Sequence, residues 1–163
     1  MINPAIRPLQ APRGATVYFG PQGILIAATL CDNIGFSTGG APMVLLPITS
    51  SAERVGKLVI QAIQGSRDCL APEELKAESA KLFELARASG WDELERSWDF
   101  IHIYCEPGED VITVSPLHRY EAGGYGGRED ADEDPIYHCR PEPKDVGEVI
   151  KKIVLGPPME ILP

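Results

Sequence analysis

The stretch TSSAERVGKLVIQAIQGS (residues 49–66) decides the fold class, because its apolar residues recur at the spacing of one helical face. These residues are Val55, Leu58, Val59, Ala62 and Ile63. Ser50 and Glu53 predict a capping box at the start of this helix, and Gly65 predicts its end. A helix with one apolar face needs a sheet to cover, so the stretch predicts a protein that contains both.

Runs of β-branched and aromatic residues on both sides of the helix predict the strands of that sheet. ATVYFG (15–20) and GILIAATL (23–30) predict a hairpin around PQG, followed by a turn-rich loop at 31–42. The further predicted strands are MVLLPI (43–48), FIHIYC (100–105), VITVS (111–115) and PIYHC (135–139), with EPGED (106–110) as a hairpin loop. The predicted fold class is α/β, with a mainly antiparallel sheet flanked by helices in a single domain over residues 1–163.

Three more segments predict helices: residues 71–90, the short WDELERSW (91–98), and PKDVGEVIKKIVLGP (143–157). The last of them shares a Val-Gly step with the first helix, at Val55-Gly56 and Val146-Gly147. A glycine inside a helix costs about 1 kcal/mol relative to alanine. Its presence in both helices predicts a close approach of helix to sheet.

Composition and the lack of targeting signals indicate an ordinary globular protein of a cytosol. The 163 residues are 44% hydrophobic and 24% charged. We expect no signal peptide, since no basic-then-apolar segment opens the chain, and no apolar run is long enough to span a bilayer. The four scattered cysteines contain no CxxC pair, a pattern typical of reduced thiols.

The net charge of −9 is concentrated in one third of the chain. Residues 91–142 hold fourteen Asp and Glu against four Lys and Arg, a net charge of −10, whereas residues 1–90 carry +1. Such a field repels nucleic acid and anionic membranes and attracts a basic partner.

The segment GGREDADEDP (126–135), called the acidic segment, holds five of these fourteen carboxylates. It overlaps the end of the glycine-rich run GGYGG (123–127), which predicts a mobile hairpin tip. Its carboxylates form a solvated loop, bind a cation or contact a basic partner. The candidate partner-binding residues are Glu129, Asp130, Asp132, Glu133 and Asp134, with Asp92, Glu93 and Glu95 of the third helix beside them.

Catalysis has little support in the sequence. The three histidines, His102, His118 and His138, are not accompanied by any local nucleophile or P-loop motif. Two of them lie in predicted strands, where they are expected to be ordinary strand-face residues. A small hydrolase or nuclease that uses one of these histidines is the alternative function, and a general acidic adaptor is a third.

Neither a metal site nor a cofactor site is predicted. His102 and Cys105 have HxxC spacing, and His138 and Cys139 are adjacent, but residues one or three apart in a strand point to opposite faces. The acidic segment lacks the central glycine and terminal glutamate of an EF-hand loop. The glycine-rich run has no following helix and no Lys-Ser/Thr pair to hold a phosphate.

Several of these stretches resemble the contact-dependent growth inhibition immunity proteins of bacteria. SSAERVGKLVIQAIQGSR (50–67), the spacer helix, GWDELERSW (90–98), a hairpin, GGYGG and a last helix with Val-Gly follow one another as in that family. The resemblance covers roughly residues 43–155. It departs at REDADEDP (128–135), where a shorter and more apolar link is expected, and the first 40 residues match only loosely.

The resemblance implies a cytoplasmic binding protein without catalytic residues or cofactors. Proteins of this family bind one cognate toxin each, the C-terminal domain delivered by a neighbouring sibling cell. Most of these toxins are nucleases, and many cut tRNA. An inhibitor that covers such an active site benefits from carboxylates that mimic phosphates, so the acidic segment is interpreted as a surface that faces the toxin.

Overall fold

The computed structural model describes residues 13–106, 108–120, 125–126, 135–157 and 161–163. This part of the chain forms a mostly antiparallel sheet with helices on both faces, which confirms the predicted fold class. The strands are β1 (Arg13–Gly20), β2 (Gly23–Asp32), β3 (Ser37–Leu46), β4 (Arg67–Leu70), β5 (Asp99–Cys105), β6 (Ile112–Tyr120), β7 (Tyr125–Gly126), β8 (Tyr137–Cys139) and β9 (Ile161–Leu162). The helices are α1 (Ala52–Gln64), α2 (Pro72–Ala86), α3 (Trp91–Ser97) and α4 (Pro143–Val154).

The sheet has the strand order β3-β2-β1-β5-β6-β7. β4 pairs with β2, while β8 and β9 pair with β6. The pairs β2–β4 and β6–β9 are parallel, and the others are antiparallel. β1 and β2 form the predicted hairpin, with Val17 opposite Ile26.

One face of the sheet is covered by α1 and α4. Val59 and Ile63 of α1 and Ile150 of α4 are buried in the same apolar cluster as Ile26 and Ile101 of the sheet. This confirms the helix face predicted from residues 49–66. Burial of this apolar face holds α1 on the sheet, and the opposite face of the helix is solvated.

The other face is covered by α2 and α3. Leu82 of α2, Leu94 of α3 and the buried Trp98 pack in a second cluster with Tyr18 and Phe100 of the sheet. The rings of Tyr18 and Phe100 meet edge to face, with centroids 4.6 Å apart. The sheet therefore lies between two layers of helix, and α3 is fixed beside the start of β5.

The two Val-Gly steps meet each other, so the predicted approach of helix to sheet is wrong. A Cβ on Gly56 would lie 2.8 Å from the backbone nitrogen of Gly147 and closer still to the carbonyl oxygen of Pro143. A Cβ on Gly147 would collide with the carbonyl oxygen of Ala52. The glycines allow α1 and α4 to cross in backbone contact, a helix–helix constraint that the spacing alone could not reveal.

Some predicted boundaries also differ. α1 is capped by Ser51, whose Oγ accepts from the backbone nitrogen of Arg54 at 3.2 Å, so the predicted capping box of Ser50 and Glu53 is wrong. α2 ends at Ala86, where Arg87 adopts a left-handed conformation, and not at Gly90.

The predicted loop at 31–42 is mostly strand, because the ends of β2 and β3 extend into it. The short strand β4 had no counterpart among the predicted elements. Its end residues, Arg67 and Leu70, pair with Leu30 and Asp32 of β2 on the side where β1 no longer reaches. This position depends on the tertiary structure.

Candidate functional site

Helix α3 presents the candidate carboxylates that the structure describes. Asp92 and Glu93 are exposed and Glu95 is half-buried, while Leu94 on the opposite side is buried. The phenyl ring of Phe83 on α2 meets the Trp91 ring edge to face, with centroids 5.0 Å apart. The helix is thus packed through its apolar side and shows its acidic side to solvent.

Hydrogen bonds hold this acidic helix in place. The Arg119 guanidinium on β6 donates to the carbonyl oxygens of Arg96 at 2.8 Å and Trp98 at 3.1 Å, and to the Asp99 carboxylate at 3.1 Å. The Glu93 carboxylate accepts from the backbone nitrogen of Ser89 at 2.6 Å. Hydrogen bonds from Ser89 lower the pKa of Glu93, so this carboxylate stays charged.

Residues 127–134 of the acidic segment lie outside the described residues, and with them Glu129, Asp130, Asp132, Glu133 and Asp134. The structure describes the chain on either side of it. Tyr125 and Gly126 pair with Arg119 and His118 of β6, and Tyr137 of β8 pairs with Val114 of the same strand. The strands on either side of the segment, β7 and β8, therefore both pair with β6. Tyr125 and Gly126, which were predicted to lie in a hairpin tip, belong to a strand.

A second group of exposed carboxylates lies on the β5–β6 hairpin, at Glu106, Glu109 and Asp110. Together with burial, these charges raise the pKa of the Cys105 thiol; burial is the largest cause. The hairpin borders an open cavity of about 540 Å³ between β4 and the last turn of α1, here called the sheet-end cavity. Its charged lining residues are Arg13, Arg67, Asp68, Glu106 and Glu109.

The three histidines do not form a catalytic group. His102 on β5 lies opposite Ser115 of β6, and His118 is three residues further along β6, so the two rings are on opposite faces of the sheet. His138 of β8 lies on the same face of the sheet as His102, but it pairs with Thr113 of β6. Its Nδ1 lies 3.2 Å from Thr113 Oγ1.

His102 is partly enclosed by its neighbours. It lies half-buried in a shallow cavity of about 220 Å³ that Thr16, Tyr18 and Trp91 also line. Burial lowers the pKa of His102, which keeps the ring neutral near pH 7.

In the described part of the chain, no three His, Cys, Asp or Glu side chains lie close enough together to hold a metal ion. His102 and Cys105 are on opposite faces of β5, as alternation predicts. The four cysteines are free thiols. No described helix has the length and apolar character needed to cross a membrane.

Sequence reasoning missed one exposed feature, the turn between β2 and β3. Ile34 and Phe36 are the most exposed large apolar side chains of the described residues, at 75% and 71%. The signal was present as two apolar residues within a polar turn, but the whole of 31–42 was interpreted as a loop.

Comparison with known proteins identifies related folds. No family model and no curated protein matches the chain. A solved structure of a protein of unknown function, NMB0488 from Neisseria meningitidis, superposes with a TM-score of 0.64 at 16% identity, over 85% of this chain and 91% of that one. A chain of the CdiA-CT/CdiI toxin and immunity complex from Yersinia pseudotuberculosis superposes with a TM-score of 0.60 at 17% identity, over 83% and 91%. At these identities the likeness establishes a shared fold.

Proposed function

We propose that this chain is an immunity protein that binds and neutralises the C-terminal toxin domain of a contact-dependent growth inhibition system. The observation that carries the proposal is the fold shared with a chain of the CdiA-CT/CdiI toxin and immunity complex. In this proposal the chain, as one immunity-protein-like domain, acts in the cytoplasm without a cofactor. It forms a one-to-one complex that covers the toxin's active site. The toxin is a nuclease, and tRNA is its first substrate to test.

The charge distribution supports a basic partner. A nuclease is positive where it binds phosphate, and the net charge of −10 over residues 91–142 complements such a surface. In the proposal, Asp92, Glu93 and Glu95 of α3 and the five carboxylates of 129–134 face the toxin.

A role without catalysis is consistent with the separation of the three histidines. A general base needs a partner positioned with it, and His102 and His118 lie on opposite faces of the sheet. We therefore place the activity in the toxin and the recognition in this chain.

The proposal predicts that a neighbouring gene encodes a toxin domain, and expression of that domain tests it. We expect the toxin domain alone to arrest growth of the host cell and co-expression of this chain to restore it. Titration of the purified proteins is expected to give one-to-one binding. The toxin domain of the Yersinia complex serves as the non-cognate control, which this chain is expected to bind weakly and not to neutralise.

Two results would contradict the proposal. One is a folded chain that neither binds nor protects against the toxin encoded beside it. The other is turnover of RNA, DNA or an ester by the purified chain that disappears in His102→Gln, His118→Gln or His138→Gln. That result would favour the hydrolase or nuclease alternative.

A further inference from the structure

The turn between β2 and β3 is a braced structure with an apolar surface; we call residues 32–37 the β2–β3 tip. Asp32 Oδ1 accepts from the backbone nitrogens of Ile34 and Phe36, at 2.9 Å each. The backbone nitrogen of Asp32 donates to the Phe36 carbonyl oxygen, also at 2.9 Å. Gly35 takes a φ of +98°, which closes the turn between the two apolar residues.

The base of the tip is held from two sides. Cys31 pairs with Ser37 of β3, while Asp32 pairs with Leu70 of the parallel strand β4. Hairpin turns are commonly polar, because exposing apolar side chains to water costs free energy. Here the backbone of the turn is held by hydrogen bonds, yet the side chains of Ile34 and Phe36 are exposed to solvent. Packing within the described residues therefore does not explain why these two positions are apolar.

The surroundings of the tip indicate the charge of what binds there. Cys31, at the base of the tip, lines the sheet-end cavity together with Asp68, Glu106 and Glu109. Arg13 and Arg67 are the cations of that lining, so the carboxylates outnumber them. An apolar contact beside a net negative surface fits a partner whose apolar pocket has basic residues around it.

We propose that the β2–β3 tip is an apolar anchor for the toxin: Ile34 and Phe36 enter an apolar pocket whose rim carries Lys or Arg. This inference rests on the proposed function and assigns part of the binding surface to residues that the charge argument does not include. Interfaces obtain most of their affinity from a few apolar or aromatic anchors, and charges around them mainly accelerate encounter. The anchor is pre-organised, since Asp32 already holds the turn before binding.

The double variant Ile34→Ser/Phe36→Ser tests the anchor. We expect binding to the toxin domain to weaken at least about 30-fold, mainly through faster dissociation. The urea midpoint of unfolding should stay at the wild-type value because both side chains are exposed. The matched control is Leu155→Ser/Ile161→Ser, which removes two apolar side chains that are 64% and 58% exposed elsewhere. The control is expected to bind as the wild type does.

The contributions of the brace and of the charged rim are separable. Asp32→Ala keeps both apolar side chains but removes their brace, so we expect faster amide exchange at Ile34 and Phe36 and about 3- to 10-fold weaker binding. Neutralising Asp68, Glu106 and Glu109 as Asn or Gln should slow association at low salt and leave dissociation unchanged. An unchanged association rate would show that the partner's rim is not basic.

Three outcomes would overturn the inference. A tip double variant that binds with the wild-type dissociation constant would show that the tip lies outside the interface. If the wild type forms dimers that the tip variant loses, with toxin affinity unchanged, the tip is a contact between copies of this chain. A wild-type chain that binds no toxin overturns the proposed function itself, and the anchor falls with it.

Discussion

Glu78 shows how a single carboxylate joins two elements of this fold. It is buried on α2, where its Oε2 accepts from the backbone nitrogen of Ala41 on β3 and its Oε1 accepts from Lys81 Nζ, both at 2.8 Å. The hydrogen bond from Ala41, followed by that from Lys81, lowers the pKa of Glu78. This carboxylate therefore fastens α2 to the edge of the sheet in its charged form.

The pH dependence of stability follows from the lowered pKa of Glu78. A carboxyl whose pKa is lower in the folded than in the unfolded state stabilises the fold above its unfolded pKa, about 4.3, and this contribution is lost as the pH falls through the folded pKa. We expect Glu78→Gln to lower the free energy of unfolding by about 1–2 kcal/mol at pH 7. The deficit should shrink toward zero below about pH 4. Urea unfolding at several pH values measures it.

The control for this prediction is Glu84→Gln, on an exposed position of the same helix. Its stability difference from the wild type is expected to be small across the pH range. A deficit of the Glu78→Gln protein that remains constant between pH 3 and pH 7 would contradict the role of the charge.

At the scale of elements, the crossing of α1 and α4 organises one whole side of the sheet. Gly56 and Gly147 face each other's helix backbone at this crossing. Both helices then direct their apolar residues into the same cluster on the sheet. A side chain at either glycine would separate the helices and open that cluster.

Alanine at these glycines should therefore destabilise the protein although it favours helix formation. The gain in helix propensity is about 1 kcal/mol, but the added Cβ forces the two backbones apart. We therefore expect Gly147→Ala to lower the free energy of unfolding by about 1–3 kcal/mol. Adding Gly56→Ala should cost less than the sum of the two single variants, since the helices are then already separated.

Gly90→Ala is the control for the helix crossing, because a Cβ there meets nothing within 4 Å. Its cost at the start of α3 should stay below about 1 kcal/mol. Equal or greater stability of the Gly147→Ala protein in urea unfolding would show that the two helices do not need this contact.

At the scale of the whole molecule, the uneven charge of the sequence becomes an uneven surface. α3 and the β5–β6 hairpin both expose carboxylates, and both belong to the acidic third of the chain. Arg119 holds α3 against the start of β5, which keeps its acidic side toward solvent. The position of the charges, more than their total, is expected to govern the encounter with a basic toxin.

Neutralising the acidic segment tests this field. Replacing its five carboxylates by Asn or Gln should slow association with the toxin at low salt and reduce the dependence of that rate on salt, because exposed charges are screened beyond about 8 Å at physiological ionic strength. The residues are Glu129, Asp130, Asp132, Glu133 and Asp134. Stopped-flow kinetics at several salt concentrations measure the effect, and folding stability should be unchanged or higher.

A second variant with the same change in net charge provides the control. It neutralises five exposed carboxylates outside residues 91–142, namely Glu53, Glu73, Glu74, Glu84 and Glu148. We expect a smaller change of the association rate. Equal effects in the two variants would mean that only total charge matters. Wild-type kinetics in the first variant would reduce the acidic segment to a solvated loop and leave the steering to Asp92, Glu93, Glu95 and the β5–β6 hairpin.

The sequence by itself determined the features that depend on near neighbours. The apolar spacing of 49–66 predicts a helix and the face it buries, and the runs around residues 21–23 predict the first hairpin, because both patterns follow from the repeat of the backbone. The same alternation correctly separates His102 from Cys105. The candidate carboxylates of α3 were chosen from the charge distribution along the chain; Asp92 and Glu93 are exposed and Glu95 is half-buried, and their contact with a toxin stays a prediction.

Only the tertiary structure decided which distant surfaces meet. The spacing shows that Gly56 and Gly147 permit close contact, but it cannot say that the contact is with each other, since the chain between them determines where α4 lies. β4 is a strand because β1 does not reach the end of β2 and leaves that side of β2 open for pairing, and not because of the composition of β4. Ile34 and Phe36 are a similar case: two apolar residues in a polar turn do not reveal whether the turn packs on the core, and the pairing of β2 with β3 and β4 decides that both side chains stay exposed.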